Sequence, residues 1–309
     1  MRSLWSVAMI PFTKYHGCGN DFIILPEEET VEGRSCPELA RQICHRTLGI
    51  GADGLIIVRK RPLEMVIYNS DGSRAPMCGN GIRCFVKYCY DEGICTKDSY
   101  PVETLAGTMG VKVTCRSPFL VEINMGKPDF KPESCGIKKE ESDTIKGDPL
   151  WKNNLKLPPE LHENFLKREL QLKDRRIEVS SCFMGTIHTV VWMENFDTVD
   201  LTKLGEEISN HPVYTEKTNV NMVRIVDRKT LRNYTYERGA GMTFACGTGA
   251  CASVVIGALE ERCDREADVL LPYGKLHIEQ KPNDEVMMTG PAVKTGQGHF
   301  EEDREEKKQ

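Results

Sequence analysis

A four-residue motif that occurs twice constrains the fold of this 309-residue chain more than any other feature. Cys78-Gly-Asn-Gly and Cys246-Gly-Thr-Gly each place a cysteine and two glycines directly before a segment with a helical pattern. Two copies of one pattern, about half a chain apart, indicate an internal repeat. Since a domain usually takes roughly 100–200 residues, the sequence predicts two homologous halves whose cysteine loops face each other across a cleft.

The segments that follow the two motifs have different apolar patterns. The first runs from Gly79 to about Tyr90 with its apolar residues on one face. The second runs from Gly247 to Leu259 and is apolar on nearly every side, which indicates a helix enclosed by its surroundings. Short β-rich runs, separated by turn signals, occur in both halves. Both halves are therefore predicted to be sheets with few helices.

The domain boundaries follow from these runs. We predict an N-terminal domain over residues 9–124, completed by about residues 285–297, and a C-terminal domain over residues 125–284. Residues 135–176 are dense in charged residues and prolines, which indicates a solvated insertion, with a surface helix over residues 160–172.

The two ends of the chain look different from its body. Residues 1–8 carry a faint likeness to a signal peptide without a cleavage site, and we interpret them as a short non-structural lead. Residues 298–309 are almost all charged and are predicted to be disordered.

Composition excludes several classes of partner. The formal charge is −5, and no dense run of Lys and Arg marks a nucleic-acid surface. No apolar stretch near the N-terminus is long enough to span a bilayer, so no membrane partner is expected. The chain has thirteen cysteines, an odd number, and no secretion signal accompanies them, which favours a reducing cytoplasm. Their spacing does not match a structural zinc site, and no metal is predicted.

The cysteine loops suit chemistry at a carboxylate-bearing carbon. A cysteine at the start of a helix meets the positive end of the helix dipole, which favours the thiolate and lowers its pKa. The glycines let backbone N–H groups approach an anion such as a carboxylate. A single loop of this kind is equally suited to a nucleophile, a base or an anion site.

Two loops together indicate proton transfer at a stereocentre. Inversion needs one group to remove the α-proton from one face and a second group to return a proton to the other face, and a thiolate and a thiol suit these roles. Backbone N–H groups after Cys78 and Cys246 would stabilise the developing negative charge. The other eleven cysteines keep the commoner interpretation of small buried apolar residues. No cofactor is needed by this chemistry.

At this point the residues match a known family: the chain closely resembles the diaminopimelate epimerases, PLP-independent enzymes made of two similar α/β domains. The likeness extends from about Phe12 to Val293. It is carried by Lys14–Phe22, Gly49–Gly54, Asn69–Ser73, Met77–Cys84, Glu103–Gly107, Thr218–Asn219, Glu237–Gly241 and Ala245–Gly249.

The resemblance implies a fold and a set of site residues. The fold is α+β, with two pseudo-symmetric domains, each a mainly antiparallel sheet wrapped around a central helix, and the active site in the cleft between them. Cys78 and Cys246 are the implied catalytic acid and base, and His188 supports them. The implied substrate-binding residues are Asn20, Asn69, Gly79, Asn80, Thr186, Asn219, Glu237, Arg238, Gly247 and Thr248. The implied assembly is a homodimer that acts on a small amino-acid substrate.

Three departures from the family pattern concern the substrate. Thr186 replaces the usual asparagine, Met242 replaces a usual glutamate, and Gly54 stands where some members have glutamine. The expected activity is epimerisation of LL-2,6-diaminopimelate to the meso isomer. The alternative is racemisation of another amino acid, for example histidine, by the same cysteine pair.

Simpler interpretations and rival chemistries remain open at this level. Asparagines are commonly turn residues, Glu237 and Arg238 could form a surface ion pair, and His188 could be a satisfied strand histidine. Gly247–Ala252 matches a dinucleotide fingerprint, but the next β-rich run does not end in an acidic residue. Cysteine acyl transfer with His188 or His16 as base would leave one cysteine loop without a role. A non-catalytic thiol-rich binding protein is the third rival.

Overall fold

A computed structural model describes residues 7–29, 35–138 and 165–303 of the chain. These residues divide into two compact units, one formed by residues 1–121 with 291–309 and the other by residues 122–290. Within the described ranges, eighteen strands and four α-helices alternate along the chain. Strands dominate both units, so the predicted α+β class is confirmed.

The first unit contains most of the N-terminal strands and the last strand. Its strands are β1 (Val7–Gly17), β2 (Asn20–Pro26), β3 (Gly54–Lys60), β4 (Leu63–Asn69), β5 (Arg74–Ala75), β6 (Ser99–Thr104), β7 (Gly107–Arg116) and β18 (Val293–Asp303). Its helices are α1 (Cys36–Ile43) and α2 (Gly79–Asp91), and a 3-10 turn spans Glu27–Glu29. Strands β8 (Phe119–Asn124) and β17 (Val286–Pro291) contain the residues at which the units divide.

The second unit contains the remaining elements. Its strands are β9 (Arg168–Gln171), β10 (Arg176–Phe183), β11 (Ile187–Trp192), β12 (Asn219–Asp227), β13 (Thr230–Glu237), β14 (Gly241–Thr243), β15 (Glu266–Leu271) and β16 (Gly274–Gln280). Its helices are α3 (Leu201–Ser209) and α4 (Gly247–Leu259).

The order of elements in the first unit is repeated in the second. Two strands, a short helix, three strands, the cysteine-loop helix and three further strands follow one another in both. The pairing also repeats: β2 pairs in parallel with β3 as β11 does with β12, and β4 pairs in parallel with β6 as β13 does with β15. Strand β3 pairs with β4 in antiparallel orientation, as β12 does with β13. The internal repeat inferred from two short motifs therefore extends over whole units.

Helices α2 and α4 form the centre of their units. Helix α2 contacts β1, β2, β3, β4 and β18, and α4 contacts β10 to β13, β15 and β16. Ten of the thirteen residues of each helix are buried. Helix α4 has Ala, Val, Ile and Cys on every side, because strands of the same unit cover it on several sides.

Three sequence-based expectations were wrong in part. Residues 298–303 are not disordered, because Gly298 to Asp303 continue β18 and pair with β1, while residues 304–309 lie outside the described ranges. Val7 and Ala8 belong to β1 rather than to a non-structural lead. The helix expected over residues 160–172 is contradicted by β9, which pairs with β10; residues 160–164 lie outside the described ranges. Charge density and helix propensity were outweighed by strand pairing.

No helix within the described ranges has both the length and the apolar character needed to cross a membrane.

Candidate functional site

Cys78 is the N-cap residue of α2. Its backbone is extended (φ −143°, ψ 122°), and its sulfur accepts a hydrogen bond from the Gly81 N–H at 3.5 Å. The backbone changes from an extended to a helical conformation at this residue, so the sulfur lies at the positive end of α2. Gly81 is tightly packed, since a Cβ there would lie 3.2 Å from the Ile67 Cδ1 atom. The glycine permits the loop to sit directly on β4.

Asn20 connects Cys78 to the rest of the loop. Its Oδ1 atom lies 3.6 Å from the Cys78 sulfur and accepts a hydrogen bond from Asn80 Nδ2 at 3.1 Å. Its Nδ2 atom donates to a carboxylate oxygen of Asp53 at 2.7 Å. Because a carboxylate only accepts, this bond fixes the orientation of the amide. The carbonyl oxygen of Asn20 is therefore the atom that faces the cysteine.

An ion-pair network holds Asp53 in place. Arg46 contacts both Asp53 and Asp21 at 2.8 Å, and Lys14 contacts Asp21 at 2.9 Å. Hydrogen bonds from Arg46 and Lys14 outweigh burial and lower the pKa of Asp21 below its ordinary value. The network holds in place the Asp53 carboxylate that accepts from Asn20.

Arg83 secures the Gly79-Asn80 loop from inside the protein. The side chain is fully buried and donates to Asn80 Oδ1 at 2.7 Å, to the Gly79 carbonyl at 2.9 Å and to the Pro291 carbonyl at 3.2 Å. Gly17 lies against it, because a Cβ at that position would be 2.8 Å from the guanidinium. A buried guanidinium with these bonds orients the loop that carries Cys78.

Cys246 occupies the equivalent position before α4. It is buried with extended backbone (φ −119°, ψ 107°), and its sulfur lies 3.4 Å from Thr248 Oγ1. Thr248 Oγ1 is in turn 2.9 Å from His188 Nε2. Gly247 fits closely here, since a Cβ would lie 2.9 Å from the Met288 sulfur. The second loop thus reaches a histidine through one hydroxyl.

His188 is neutral in this position. It is fully buried, and burial, assisted by the positive charge of Arg238, lowers its pKa to about 3. Its second nitrogen, Nδ1, lies 3.1 Å from Asn221 Nδ2. This chain of contacts connects His188 to Cys246 through Thr248, and the support of both cysteines by His188 stays a prediction.

A second polar cluster lies beside His188 in the same unit. Arg238 donates to the Thr186 hydroxyl at 3.3 Å and to the Glu216 carbonyl at 2.9 Å, and its N–H binds the Asn219 side-chain oxygen at 2.9 Å. Asn219 is the register partner of His188 in the parallel pair of β11 and β12. Four predicted substrate residues are therefore neighbours: Thr186, Asn219, Glu237 and Arg238.

Glu237 is held at the end of β13. It accepts a hydrogen bond from the Thr243 hydroxyl at 2.5 Å, and β13 pairs with β14 beside it. Met242, where the family pattern has a glutamate, packs against the apolar core of this unit instead of contributing a charge.

Asn69 lies at the exposed end of β4. Its Nδ2 atom binds Ser73 Oγ at 2.9 Å, and the next residue, Ser70, donates its N–H to the Asp53 carbonyl. Its register partner is Gly54. A Cβ at Gly54 would lie 2.8 Å from the Tyr68 carbonyl, so the glutamine of some relatives would need a local backbone shift. Asn69 therefore lies near the Asn20–Asp53 contact.

The remaining cysteines differ from the two loop cysteines in position. Burial raises the pKa of Cys84, Cys89 and Cys182 well above the ordinary thiol value, and raises those of Cys44 and Cys135 to about 12. These thiols stay protonated at neutral pH. Cys263 follows the end of α4.

Three residues of the site were not predicted: Asn221, Arg83 and Asp53. Asn221 is two positions after Asn219 on β12, so it lies on the same strand face, and a polar residue within a buried strand was the available signal. Arg83 follows Gly79 by one helical turn. A charged residue at that spacing, in a helix with an apolar face, was the signal that could have identified it.

Among the described residues, no group of three His, Cys, Asp or Glu side chains has the arrangement of a metal site. Backbone N–H groups at the starts of α2 and α4 have the chemistry that suits an anion rather than a metal ion.

Comparison with known proteins identifies one family. The family model described as diaminopimelate epimerase matches residues 12–131 and 181–295. A diaminopimelate epimerase of Desulfitobacterium hafniense is 39% identical over 297 residues, which cover 94% of this chain and 98% of the relative. One from Acetivibrio thermocellus is 38% identical over the same length, with the same shares covered.

Solved structures show the same fold in more distant proteins. A phenazine biosynthesis protein of the PhzF family from Bacillus anthracis superposes with a TM-score of 0.61 at 15% identity, covering 94% of this chain and 98% of that chain. A hydroxyproline epimerase from Agrobacterium vitis, with bound trans-4-hydroxy-L-proline, gives a TM-score of 0.62 at 12% identity, covering 98% and 93%. At these identities the likeness concerns the fold alone.

Proposed function

The chain belongs to the diaminopimelate epimerase family, and from that premise we propose that it interconverts LL- and meso-2,6-diaminopimelate without a cofactor, with Cys78 and Cys246 as acid and base. The chain is thus an isomerase. Its product is a precursor for lysine and peptidoglycan biosynthesis.

The reaction moves one proton off a carbon and another proton onto it. A thiolate removes the α-proton and becomes a thiol, while the thiol on the opposite face gives its proton to the carbon and becomes a thiolate. The charge that develops on the α-carboxylate is stabilised by N–H groups at the starts of α2 and α4. Each turnover leaves the two sulfurs with exchanged protonation states, and proton exchange with solvent restores them.

One observation carries this proposal. Cys78 and Cys246 occupy the same place in the repeated order of elements, each as the N-cap of the buried helix of its unit. A two-base inversion needs two equivalent proton carriers, and the repeat supplies two. The dinucleotide, acyl-transfer and binding-protein alternatives leave one of these equivalent positions without a role.

The Arg238 cluster supplies the proposed recognition of the distal end of the substrate. The Arg238 guanidinium can bind the distal carboxylate through two parallel bonds, while Glu237 and Asn219 accept bonds from the distal ammonium. Thr186 and the Glu216 carbonyl hold the guanidinium at 3.3 and 2.9 Å. Asn69 and Asn20, on the first unit, complete the proposed set of binding residues together with Asn80, Gly79, Gly247 and Thr248.

The test is an α-proton exchange assay in D₂O with no added cofactor. Purified protein is incubated with LL-diaminopimelate, meso-diaminopimelate, L-histidine, L-proline, L-glutamate and L-lysine, and NMR follows loss of the α-proton signal. We expect exchange and interconversion of the diaminopimelate isomers. Exchange of another amino acid with inert diaminopimelate would overturn the substrate, and no exchange of any amino acid would overturn the reaction.

We also infer a homodimer in a reducing, cytoplasmic compartment. None of the thirteen cysteines, all of which lie in the described ranges, forms a disulfide, which suits such a compartment, and the homodimer rests on the family resemblance alone. Sedimentation equilibrium of the purified protein should give a mass near 70 kDa, twice the chain mass of 34.9 kDa. A mass of one chain across the concentration range would contradict the dimer.

A further inference from the structure

The Cys246 sulfur faces the hydroxyl of Thr248, a group that can either donate or accept a hydrogen bond. Which of the two it does depends on His188, whose ring nitrogen is a second partner of that hydroxyl. The tautomer of His188 in turn depends on Asn221, a residue to which the proposed function assigns no role.

The side-chain amide of Asn221 has a fixed orientation. Its Nδ2 atom faces the Thr189 carbonyl at 3.4 Å, which only accepts, and its Oδ1 atom accepts from the Thr235 hydroxyl at 3.1 Å. Asn221 is fully buried, and a Cβ on Gly249 would overlap its Oδ1 atom. The amide is therefore packed between β11, β13 and the start of α4, and its nitrogen points at His188.

This orientation determines the tautomer of His188. The Asn221 nitrogen only donates, so the Nδ1 atom at 3.1 Å must accept. His188 is neutral, because burial lowers its pKa to about 3. A neutral imidazole that accepts at Nδ1 carries its proton on Nε2, which then donates to Thr248 Oγ1 at 2.9 Å. The charged side chain that acts on this imidazole is Arg238.

Because Thr248 Oγ1 accepts a hydrogen bond from His188, its own hydroxyl proton is available to donate to Cys246. Once Thr248 Oγ1 accepts from Nε2, its own O–H can point to the Cys246 sulfur at 3.4 Å. A hydrogen bond donated by an O–H group is stronger when its acceptor is an anion such as a thiolate.

We propose that Asn221 is a positioning residue that fixes the His188 tautomer, so that the Thr248 hydroxyl donates a hydrogen bond to the Cys246 sulfur and stabilises its thiolate form. The inference builds on the proposed function, because it names the contacts that let one of the two proposed catalytic sulfurs act as a base.

The chain offers a matched control for Asn221. Asn233 is also fully buried on the neighbouring strand β13, two positions from Thr235 on the same face. Its amide atoms have no hydrogen-bond partner within the described part of the chain. Asn221→Leu and Asn233→Leu therefore make the same change in a buried strand, but only the first removes a donor to His188.

Two measurements on the full-length protein test the proposal. ¹⁵N NMR of the histidine rings, with His188 assigned by its absence in His188→Gln, reports which nitrogen carries the proton. Iodoacetamide alkylation between pH 5 and 9, resolved by peptide mass spectrometry, reports the thiolate fraction of each cysteine. Neither measurement requires turnover, so failure of the epimerisation assay and failure of this inference are distinguishable.

In the wild-type protein we expect the Nε2–H tautomer of His188. In Asn221→Leu we expect mixed tautomers and Cys246 alkylation on the order of tenfold slower at pH 7, with Cys78 unchanged. Asn233→Leu should match the wild type. The proposal is overturned by an Nδ1–H tautomer in the wild type, a result that does not depend on a variant that folds. An unchanged Cys246 profile in folded Asn221→Leu also overturns it.

Discussion

His188 Nε2 lies 2.9 Å from Thr248 Oγ1, and this contact joins the centre of a buried sheet to the loop that carries Cys246. Its counterpart in the first unit is the 3.6 Å contact between Asn20 Oδ1 and Cys78. Each cysteine is thus attached to the sheet of its own unit through a polar side chain. The two cysteines occupy equivalent positions in the repeat, but the side chains that contact their sulfurs differ: Asn20 contacts Cys78 and Thr248 contacts Cys246.

Acid should destabilise the protein through His188. Its folded pKa of about 3 is below the ordinary value of 6.5, so the unfolded chain binds the extra proton first as pH falls. The contribution to stability is therefore present above pH 6.5 and is lost progressively between about pH 6.5 and pH 3. Between pH 7 and pH 5 this loss is about 2 kcal/mol.

Urea unfolding at pH 7 and pH 5 checks the His188 prediction. The wild type and the exposed-site control His299→Gln should lose the same free energy of unfolding between these pH values, and His188→Gln should lose about 2 kcal/mol less. Equal losses in all three proteins would show that His188 is not held neutral by the fold.

Replacement of Arg83 should loosen the Cys78 loop. Arg83→Met leaves the Gly79 carbonyl, the Pro291 carbonyl and Asn80 Oδ1 without a charged donor in a buried position. We expect the free energy of unfolding to fall by about 3 kcal/mol and kcat to fall with it. Denaturant titration and steady-state kinetics measure both, and Arg74→Met, at a partly exposed arginine of β5, serves as the control. A fully stable, fully active Arg83→Met protein would contradict the assigned role.

A methyl group at Gly249 should disturb the second loop. In Gly249→Ala the new Cβ overlaps Asn221 Oδ1, so either the amide or the start of α4 must move. We expect a loss of about 2 kcal/mol in stability and a lower rate of epimerisation. Gly110→Ala, on β7, has no atom within 4 Å of the added carbon and should change stability by less than about 0.5 kcal/mol. Equal changes in the melting temperature of the two alanine variants would contradict the close contact between Gly249 and the Asn221 side chain.

Arg238 should affect substrate binding more than the chemical step. Arg238→Lys keeps the positive charge but removes the planar fork that suits a carboxylate, so we expect KM to rise about tenfold with a smaller change in kcat. Steady-state kinetics with LL-diaminopimelate measure this split. Arg232→Lys, at an exposed arginine of β13, the strand that ends just before Arg238, is the control. An unchanged KM in Arg238→Lys would remove Arg238 from the proposed binding residues.

Sequence patterns located the elements that carry a strong local signal. The helix starts at Gly79 and Gly247 were predicted to the residue, because a cysteine followed by Gly-x-Gly and an apolar run marks both the cap and the buried helix. The short helices α1 and α3 were not predicted. Both have eight or nine residues, a length at which tertiary packing rather than propensity decides the structure.

Other features depend on contacts between distant parts of the chain. Residues 298–303 are highly charged and polar, and they form a strand because they pair with β1, which lies near the other end of the sequence. Asn221 has no motif of its own, and its role follows from the positions of His188, Thr235 and Gly249 around it. Single-sequence reasoning reaches residues that act through a local pattern, whereas positioning residues require the packed structure.

The most direct test of the two-thiol account is epimerisation by single-cysteine variants. Cys78→Ala, Cys246→Ala and the control Cys115→Ala, a half-exposed cysteine of β7, are incubated with LL-diaminopimelate in D₂O, and NMR and chiral chromatography follow the meso product. We predict that each loop variant, while folded, loses at least on the order of 10³-fold in rate, and that Cys115→Ala matches the wild type. Interconversion at near wild-type rate by either loop variant would contradict the account.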